Sequence, residues 1–180
     1  MQDDQTVSFR AMRPDDLPAV LAVQAACYPP SMQEPEPTVL ARIAAAGKSC
    51  LVALDAEGVC AYLFAYPSRL GVVTPLGASF DLAAHADTLY LHDLAVAPRA
   101  KGRGLARALA GRALAWASKQ GLPRSALVSV QDSAGFWSAL GYRPAALDCP
   151  GARAALATYP GQACYMRLAL TGPGAPSPSC

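Results

Sequence analysis

Residues 91–106 read LHDLAVAPRAKGRGLA, and this stretch decides how the chain folds. An apolar segment runs into a short basic turn, and an alanine-rich helix is predicted to begin directly after it. The first turn of a helix has free backbone N–H groups and a partial positive charge, and both attract anions. The basic residues at this point are Arg99, Lys101, Arg103 and Arg107, and the glycines are Gly102 and Gly104. Because glycine also lets the backbone approach a ligand closely, the stretch predicts a site for a phosphate-bearing ligand.

Two common phosphate-binding loops do not fit these residues. A Walker loop requires G-x-x-x-x-G-K-[ST]; the chain has Gly-Lys-Ser at residues 47–49, away from this stretch, but Arg42 stands where that loop needs its first glycine. A dinucleotide fingerprint G-x-G-x-x-G/A begins at Gly102 and Gly104 but meets Arg107 at its third position. The alternative is an ordinary strand–turn–helix connection with solvated charges. Four basic side chains between Arg99 and Arg107 favour the ligand site over that alternative.

The motif Arg99-x-x-Gly102-x-Gly104 resembles the [QR]-x-x-G-x-[GA] signature of the Gcn5-related N-acetyltransferases (GNAT). That family acetylates amines with acetyl-CoA. Residues 133–142, which read SAGFWSALGY, are similar to the later A-x-x-F-Y-x-x-x-G-F block of the family. The His-x-Leu-Ala-Val strand that begins at His92 is most similar to the arylalkylamine-type branch. The likeness in order and spacing of elements extends over most of residues 7–170.

Hydrophobic periodicity and turn signals divide the chain into alternating strands and helices. Strands are predicted over residues 7–10, 49–54, 59–66, 88–96, 125–130 and 162–170. Helices are predicted from Asp15 or Asp16, over residues 38–46 and 104–120, and briefly after Asp132 or Ser133. With the resemblance, this order predicts an α/β fold of a single GNAT domain over residues 5–170. Its mixed, mainly antiparallel sheet is expected to carry helices on both faces, and residues 171–180 to form a disordered Pro/Gly/Ser tail.

The resemblance assigns the cofactor contacts by position. The strand before the motif is expected to offer backbone hydrogen bonds to the pantetheine arm of acetyl-CoA, and the loop amides to hold its pyrophosphate. Trp137 is expected to pack against the cofactor arm or the core. The predicted cofactor-binding residues are Leu94, Ala95, Val96, Arg99, Lys101, Gly102, Arg103, Gly104, Leu105, Ala106, Arg107 and Trp137.

One proton must leave the amine before it attacks the thioester, because an ammonium group has a pKa near ~10. Histidine is suited to accept that proton. Strand alternation predicts His92 on the same face as Tyr90 and Leu94, with Asp93 on the opposite face as a structural acid. The resemblance implies His92 as the general base and Tyr90 as a hydrogen-bonding neighbour. The alternative is a buried structural histidine bonded to a backbone carbonyl.

A second proton is needed by the departing thiolate. Many family members supply it from the tyrosine of the F-Y pair, but that position here is Trp137, whose indole N–H is not a useful acid. Tyr142, Tyr165 or water remains as a candidate donor. The thiolate can also leave unassisted, because its pKa is ~8.5.

Composition limits the partners. A net charge of +2 does not predict a nucleic-acid partner, and no apolar run approaches the ~20 residues that span a bilayer. The polar segment of residues 1–5 does not resemble a signal peptide, so a cytoplasmic location is expected. The six cysteines show no C-x-x-C pair, and no metal site is predicted. The sequence leaves the oligomeric state open.

The expected acceptor is the primary amine of a small molecule. Two alternatives remain, namely acetylation of a protein α-amine or lysine and a catalytically inactive acyl-CoA-binding module. Residues 28–37 contain four prolines and are predicted to be a loop with Tyr28, Met32, Glu34 and Glu36 at its surface. The charges of Glu34 and Glu36 are expected to be solvated. This loop and the irregular residues 67–87 are expected to select the substrate.

Overall fold

The computed structural model describes residues 6–170 and contains one seven-stranded sheet in the order β1-β2-β3-β4-β5-β7-β6. The strands are β1 (Ser8–Ala11), β2 (Leu51–Asp55), β3 (Gly58–Ser68), β4 (Thr88–Val96), β5 (Arg124–Ser129), β6 (Arg143–Pro144) and β7 (Cys164–Ala169). The pair β4 and β5 is parallel, and the other neighbouring pairs are antiparallel. The predicted mixed, mainly antiparallel sheet is confirmed.

Within residues 6–170, five α-helices cover both faces of this sheet. They are α1 (Leu17–Cys27), α2 (Glu36–Ala46), α3 (Leu105–Lys119), α4 (Ala134–Ala139) and α5 (Pro150–Leu156). Helices α1, α2 and α5 pack into one hydrophobic core, and α3 and α4 pack into the other. The prediction of helices on both faces is therefore confirmed, because strand alternation supplies apolar side chains to each side.

Helix α3 follows the glycine-bearing turn and lies flat on the sheet. Its buried stripe contains Leu105, Leu109, Ala113 and Ala117, a spacing of four residues that keeps them on one face of a helix. The alanines let the helix axis approach the strands. Gly121, with a φ of 75°, ends the helix in the left-handed conformation that glycine favours.

The parallel strands β4 and β5 separate partway along their length. Thr88–Leu91 pair with Arg124–Leu127, whereas β4 continues unpaired with β5 to Val96. From that point β5 pairs with β7 alone, up to Ser129. The separation opens a cleft at the centre of the sheet beside the start of α3.

A β-bulge at His92 interrupts the side-chain alternation that was predicted for β4. Leu91 pairs with Ala65 and Asp93 pairs with Phe64, so His92 is the extra residue. Tyr90 and His92 lie on the face of α1 and α2, as alternation predicts, but the bulge turns Asp93 to that face as well. Leu94 packs into the opposite core, so the prediction that it shares a face with His92 is wrong.

Several other expectations need correction. Helix α2 begins at Glu36, two residues before the predicted start. Its first turn tolerates proline because the N–H groups of a helix's first turn have no hydrogen-bond partner within the helix. Strand β6 and helix α5 were not predicted, since both are short and α5 opens with Pro150 and Gly151. The predicted tail of residues 171–180 lies outside the described residues. No helix within residues 6–170 is both long and apolar enough to cross a membrane.

Candidate active site

The separation of β4 and β5 creates a cleft of about 190 Å³. Its walls come from both strands, from the loop after α1, and from the starts of α3 and α4. Its lining residues include Tyr28, Met32, Glu34, Leu76, His92, Asp93, Leu94, Ala106, Trp137 and Tyr159. Of the predicted cofactor residues, Leu94, Ala106 and Trp137 line the cleft, and the others lie along the strand and turn that lead from it.

The turn before α3 has the backbone geometry of an anion site. Gly102 and Gly104 have φ angles of 79° and 73°, and a Cβ at either would meet no atom within 4 Å. The glycines are therefore required by conformation, since L-residues avoid this region. The α3 N–H groups that follow Gly104 point outward at the helix start, where Ala108 makes the first bond back to Gly104. This geometry fits the pyrophosphate of a coenzyme A ligand.

Two of the four basic residues at this turn already hold a carboxylate. The guanidinium groups of Arg99 and Arg103 lie 2.5 and 3.2 Å from Oδ2 of Asp55, at the end of β2. Lys101 and Arg107 are exposed beside them. Asp55 thus fixes the turn against the β2–β3 hairpin, and the positive charge available to a ligand is smaller than the four residues alone indicate.

Side chains at the end of α1 reach the free edge of β4. The Tyr28 hydroxyl oxygen lies 3.1 Å from the carbonyl oxygen of Leu94, and Cys27 Sγ lies 3.2 Å from the carbonyl oxygen of Val96. Both carbonyls belong to the segment that is expected to bind pantetheine. Each carbonyl has a second lone pair, so these contacts leave it able to accept another hydrogen bond.

Glu34 is buried, which contradicts the prediction of a solvated loop charge. Its side chain is 5% exposed, and both carboxylate oxygens accept hydrogen bonds from the buried guanidinium of Arg42. Burial alone would raise the pKa of Glu34, but the bonds from His92 and Arg42 outweigh it and lower the pKa to about 2. The neighbouring Met32 is buried too, whereas Glu36 is exposed as predicted.

His92 contacts the same carboxylate. Its Nε2 lies 3.3 Å from Oε2 and 3.4 Å from Oε1 of Glu34, and its side chain is 2% exposed. Its other nitrogen, Nδ1, is buried and has no hydrogen-bond partner among the described residues. The alternative of a structural histidine bonded to a backbone carbonyl is therefore not what the geometry contains.

Asp93 lies beside His92 and is bound by two phenols. Tyr28 donates to Oδ1 at 2.6 Å and Tyr62 donates to Oδ2 at 2.7 Å. Burial raises the pKa of Asp93, although both tyrosine bonds act in the opposite direction. The hydrogen-bond partners of this carboxylate are therefore side-chain hydroxyls.

The tyrosines considered as proton donors lie away from the cleft. The Tyr142 hydroxyl is buried against Ser125 Oγ at 2.6 Å, and the Tyr165 hydroxyl accepts the N–H of Gly71 at 2.9 Å. Trp137 lies at the cleft wall with its ring edge against Tyr142. The Tyr90 ring lies 6.3 Å from the His92 ring, but no hydrogen bond joins the two side chains.

Hydrogen bonds join the two irregular segments that are expected to select the substrate. Gly77 N–H donates to Oε1 of Glu34 at 2.8 Å, and Arg42 Nε donates to the carbonyl of Ala78 at 3.0 Å. Leu76, from the same segment, lines the cleft together with Met32. The loop after α1 and the segment before β4 therefore form a continuous wall beside His92.

Sequence reasoning missed Arg42 and the pairing of Glu34 with His92. The one available signal was a glutamate and an arginine eight positions apart, across a proline-rich stretch. Within residues 6–170, no group of three or more His, Cys, Asp or Glu side chains is arranged to hold a metal ion.

The family model described as the acetyltransferase (GNAT) family matches residues 17–142. No curated protein matches the chain significantly in sequence. Among solved structures, the chain is similar to the GphF GNAT-like decarboxylase in complex with isobutyryl-CoA, at 19% identity and a TM-score of 0.72, covering 91% of this chain and 100% of that one.

Two further structures show the same fold. The ribosomal-protein-S18-alanine N-acetyltransferase from Escherichia coli has 17% identity and a TM-score of 0.67, and the match covers 94% of this chain and 97% of that one. The loading GNATL domain of CurA from Lyngbya majuscula has 12% identity and a TM-score of 0.72, covering 92% and 98% respectively.

Proposed function

Because the chain belongs to the GNAT acetyltransferase family, we propose that it transfers the acetyl group of acetyl-CoA directly to a primary amine of a small molecule. One observation carries the proposal. A single cleft extends from the first turn of α3, at Ala106, to the buried imidazole of His92. This continuity supports a proposal in which an anion binds at one part of the cavity and His92 accepts a proton at the other.

The turn at Gly102 and Gly104 fits the pyrophosphate, with Lys101 and Arg107 supplying charge. The free edge of β4 after Leu91 fits an extended pantetheine arm, because its backbone groups have no strand partner there. Bound acetyl-CoA would supply the activated acetyl group. The chain's own residues then orient the thioester between Leu94 and Trp137 and exclude water from it.

His92 is the proposed proton acceptor for the acceptor amine. The amine must be uncharged to attack, and His92 lines the cleft where the acyl group would end. The carboxylates of Glu34 and Asp93 lie beside the imidazole, and the Glu34 charge is paired with the guanidinium of Arg42. This position of His92 supports the finer proposal of an arylalkylamine-type acetyltransferase.

The proposal of a small acceptor rests on the wall beside His92. Glu34 and Arg42 join the loop after α1 to the segment around Gly77 and Ala78. A protein or peptide acceptor needs an open groove along this side. We expect such acceptors to be poor substrates, and we propose that the enzyme acts in the cytoplasm.

Proton supply to the leaving thiolate follows from the contents of the cleft. Tyr142 and Tyr165 are engaged elsewhere. Of the tyrosines that line the cleft, Tyr28 donates to Asp93, and Tyr159 donates to the carbonyl of Thr74 at 2.7 Å. We therefore propose that the thiolate leaves unassisted or takes its proton from water, as its pKa of ~8.5 allows.

An amine panel with detection of free thiol tests the proposal. We expect turnover of acetyl-CoA with at least one small primary amine, and a loss of about 100-fold or more in kcat for His92→Ala with acetyl-CoA affinity retained. His85→Ala is the matched control, because His85 is exposed in the segment before β4. Unchanged turnover in His92→Ala contradicts the base assignment. Preferential acetylation of peptides contradicts the proposed acceptor class. Binding of acetyl-CoA without transfer to any amine contradicts the proposed catalysis.

A further inference from the structure

Glu34 is held at both its backbone and its side chain. The Gln24 amide donates to the Glu34 carbonyl at 3.0 Å and accepts the Glu34 N–H at 3.2 Å. Arg42 and the N–H of Gly77 donate to the carboxylate. The carboxylate therefore has a fixed position, a fixed orientation and a fixed negative charge.

A carboxylate in this state accepts hydrogen bonds and cannot donate them. The His92 Nε2 that faces it at 3.3 Å must then carry a hydrogen. A neutral imidazole has one N–H, so the remaining nitrogen, Nδ1, holds a free lone pair. That atom has no hydrogen-bond partner within the described part of the chain.

Aromatic packing also restrains the imidazole ring of His92. Phe80 packs edge-on against His92, with 5.3 Å between the ring centroids, and the guanidinium of Arg42 lies 4.9 Å from the Phe80 centroid. Arg42 thus contacts both the carboxylate that faces Nε2 and the aromatic ring that packs against the imidazole. Rotation of the imidazole would break the Glu34 contact and disturb this packing.

We propose that Glu34, held by Arg42, is a positioning residue that fixes the tautomer of His92 and leaves Nδ1 to accept the proton of the acceptor amine. That this proton comes from an acceptor amine rests on the proposed function. The tautomer does not, because it follows from the contacts of the protein alone.

Nitrogen-15 NMR of the imidazole tests the tautomer without any substrate. The chain has two histidines, so a His85→Gln variant assigns the signals. In the spectrum of the neutral imidazole, we expect His92 with Nε2 protonated and Nδ1 unprotonated. Observation of the Nδ1-protonated form overturns the inference.

Variants separate positioning from a structural role. Glu34→Gln can donate as well as accept, so we expect a mixture of His92 tautomers and a fall in kcat of ~10–100-fold, with the KM for acetyl-CoA changed less than about twofold. Glu36→Gln is the matched control, because Glu36 is exposed two positions away. If Glu34→Gln does not fold, the double variant Glu34→Gln with Arg42→Met removes both buried charges and gives the same two readouts.

Retention of the pure Nε2-protonated form together with an unchanged kcat in either variant overturns the inference. A parent protein that acetylates no amine contradicts the proposed function instead, and the tautomer spectra then decide the inference alone.

Discussion

The hydroxyl of Tyr28 lies 2.6 Å from Oδ1 of Asp93, although 65 positions separate the two residues in the chain. Tyr62 binds the other oxygen of the same carboxylate from β3. A buried carboxylate is destabilising unless hydrogen bonds compensate its lost hydration. The two phenols therefore join α1 and β3 to the bulged part of β4, beside the candidate base.

Removal of either phenol should destabilise the fold. Tyr28→Phe and Tyr62→Phe should each lower the free energy of unfolding by ~1–3 kcal/mol, the usual range for bonds to charged groups. The double variant should lose less than the sum, because an Asp93 whose pKa is already raised by burial takes up a proton once both donors are gone. Urea denaturation of the four proteins measures this. Tyr165→Phe is the control and should be additive with either change; additivity of Tyr28→Phe with Tyr62→Phe would argue against a shared carboxylate.

Charge at the start of α3 should control acetyl-CoA affinity. Lys101 and Arg107 are exposed, whereas Arg99 and Arg103 are engaged with Asp55. The double variant Lys101→Ala with Arg107→Ala should weaken acetyl-CoA binding roughly tenfold at low salt, or about 1.4 kcal/mol. The difference should shrink as salt is added, because exposed charges are screened.

Titration calorimetry at two salt concentrations checks this expectation. Lys119→Ala, at the other end of the same helix, is the control and should bind acetyl-CoA normally. Equal losses from Lys119→Ala and from the double variant would show that net charge, and not the turn, sets the affinity.

Alanine substitution at Gly104, just before α3, and at Gly111, inside it, should change the stability of the fold in opposite directions. Gly104 precedes the helix with a φ of 73°, so Gly104→Ala should lower the free energy of unfolding by ~1–2 kcal/mol. Gly111 lies inside the helix, where a Cβ would meet no atom within 4 Å, and Gly111→Ala should stabilise the fold by ~0.5–1 kcal/mol. Thermal unfolding of the pair measures both signs. A stabilised Gly104→Ala would be incompatible with the left-handed turn that precedes the helix.

The strand that leads to this turn shows how far sequence reasoning extends. The limits of β4 at Thr88 and Val96 were predicted correctly, because the mainly apolar stretch, interrupted only by His92 and Asp93 after Thr88, ends before Pro98. The bulge at His92 was not predicted, since alternation assumes one residue opposite each partner. The face assigned to Asp93 and Leu94 was wrong for that one reason, whereas Tyr90 and His92 precede the change and kept their face.

Glu34 shows why the acceptor side could not be predicted. A glutamate among prolines is usually solvated, and nothing local distinguishes this one. Its burial depends on Arg42, from the next helix, and on His92, which is 58 positions away. Such contacts arise only when the fold brings the segments together, so the anion turn was found from the sequence and the Glu34 pair was not.

Stability at acid pH should depend on Glu34. The hydrogen bonds from His92 and Arg42 overcome the effect of burial and lower the pKa of Glu34 from 4.5 to about 2. A carboxylate with a lowered folded-state pKa stabilises the fold above its unfolded-state pKa, and this contribution is lost as pH falls through the folded-state value. The free energy of unfolding should therefore fall between pH ~4.5 and ~2, with Glu34 contributing on the order of 3 kcal/mol to the change.

Near neutral pH, Glu34→Gln should be destabilised by ~3–5 kcal/mol because Arg42 stays buried without its partner. The decline in stability of this variant towards low pH should be shallower than that of the parent. Urea denaturation across this pH range checks both effects, with Glu36→Gln expected to follow the parent. Parallel declines for Glu34→Gln and the parent would mean that the other carboxylates with lowered pKa values, Asp16, Asp55 and Asp87, account for the whole acid sensitivity.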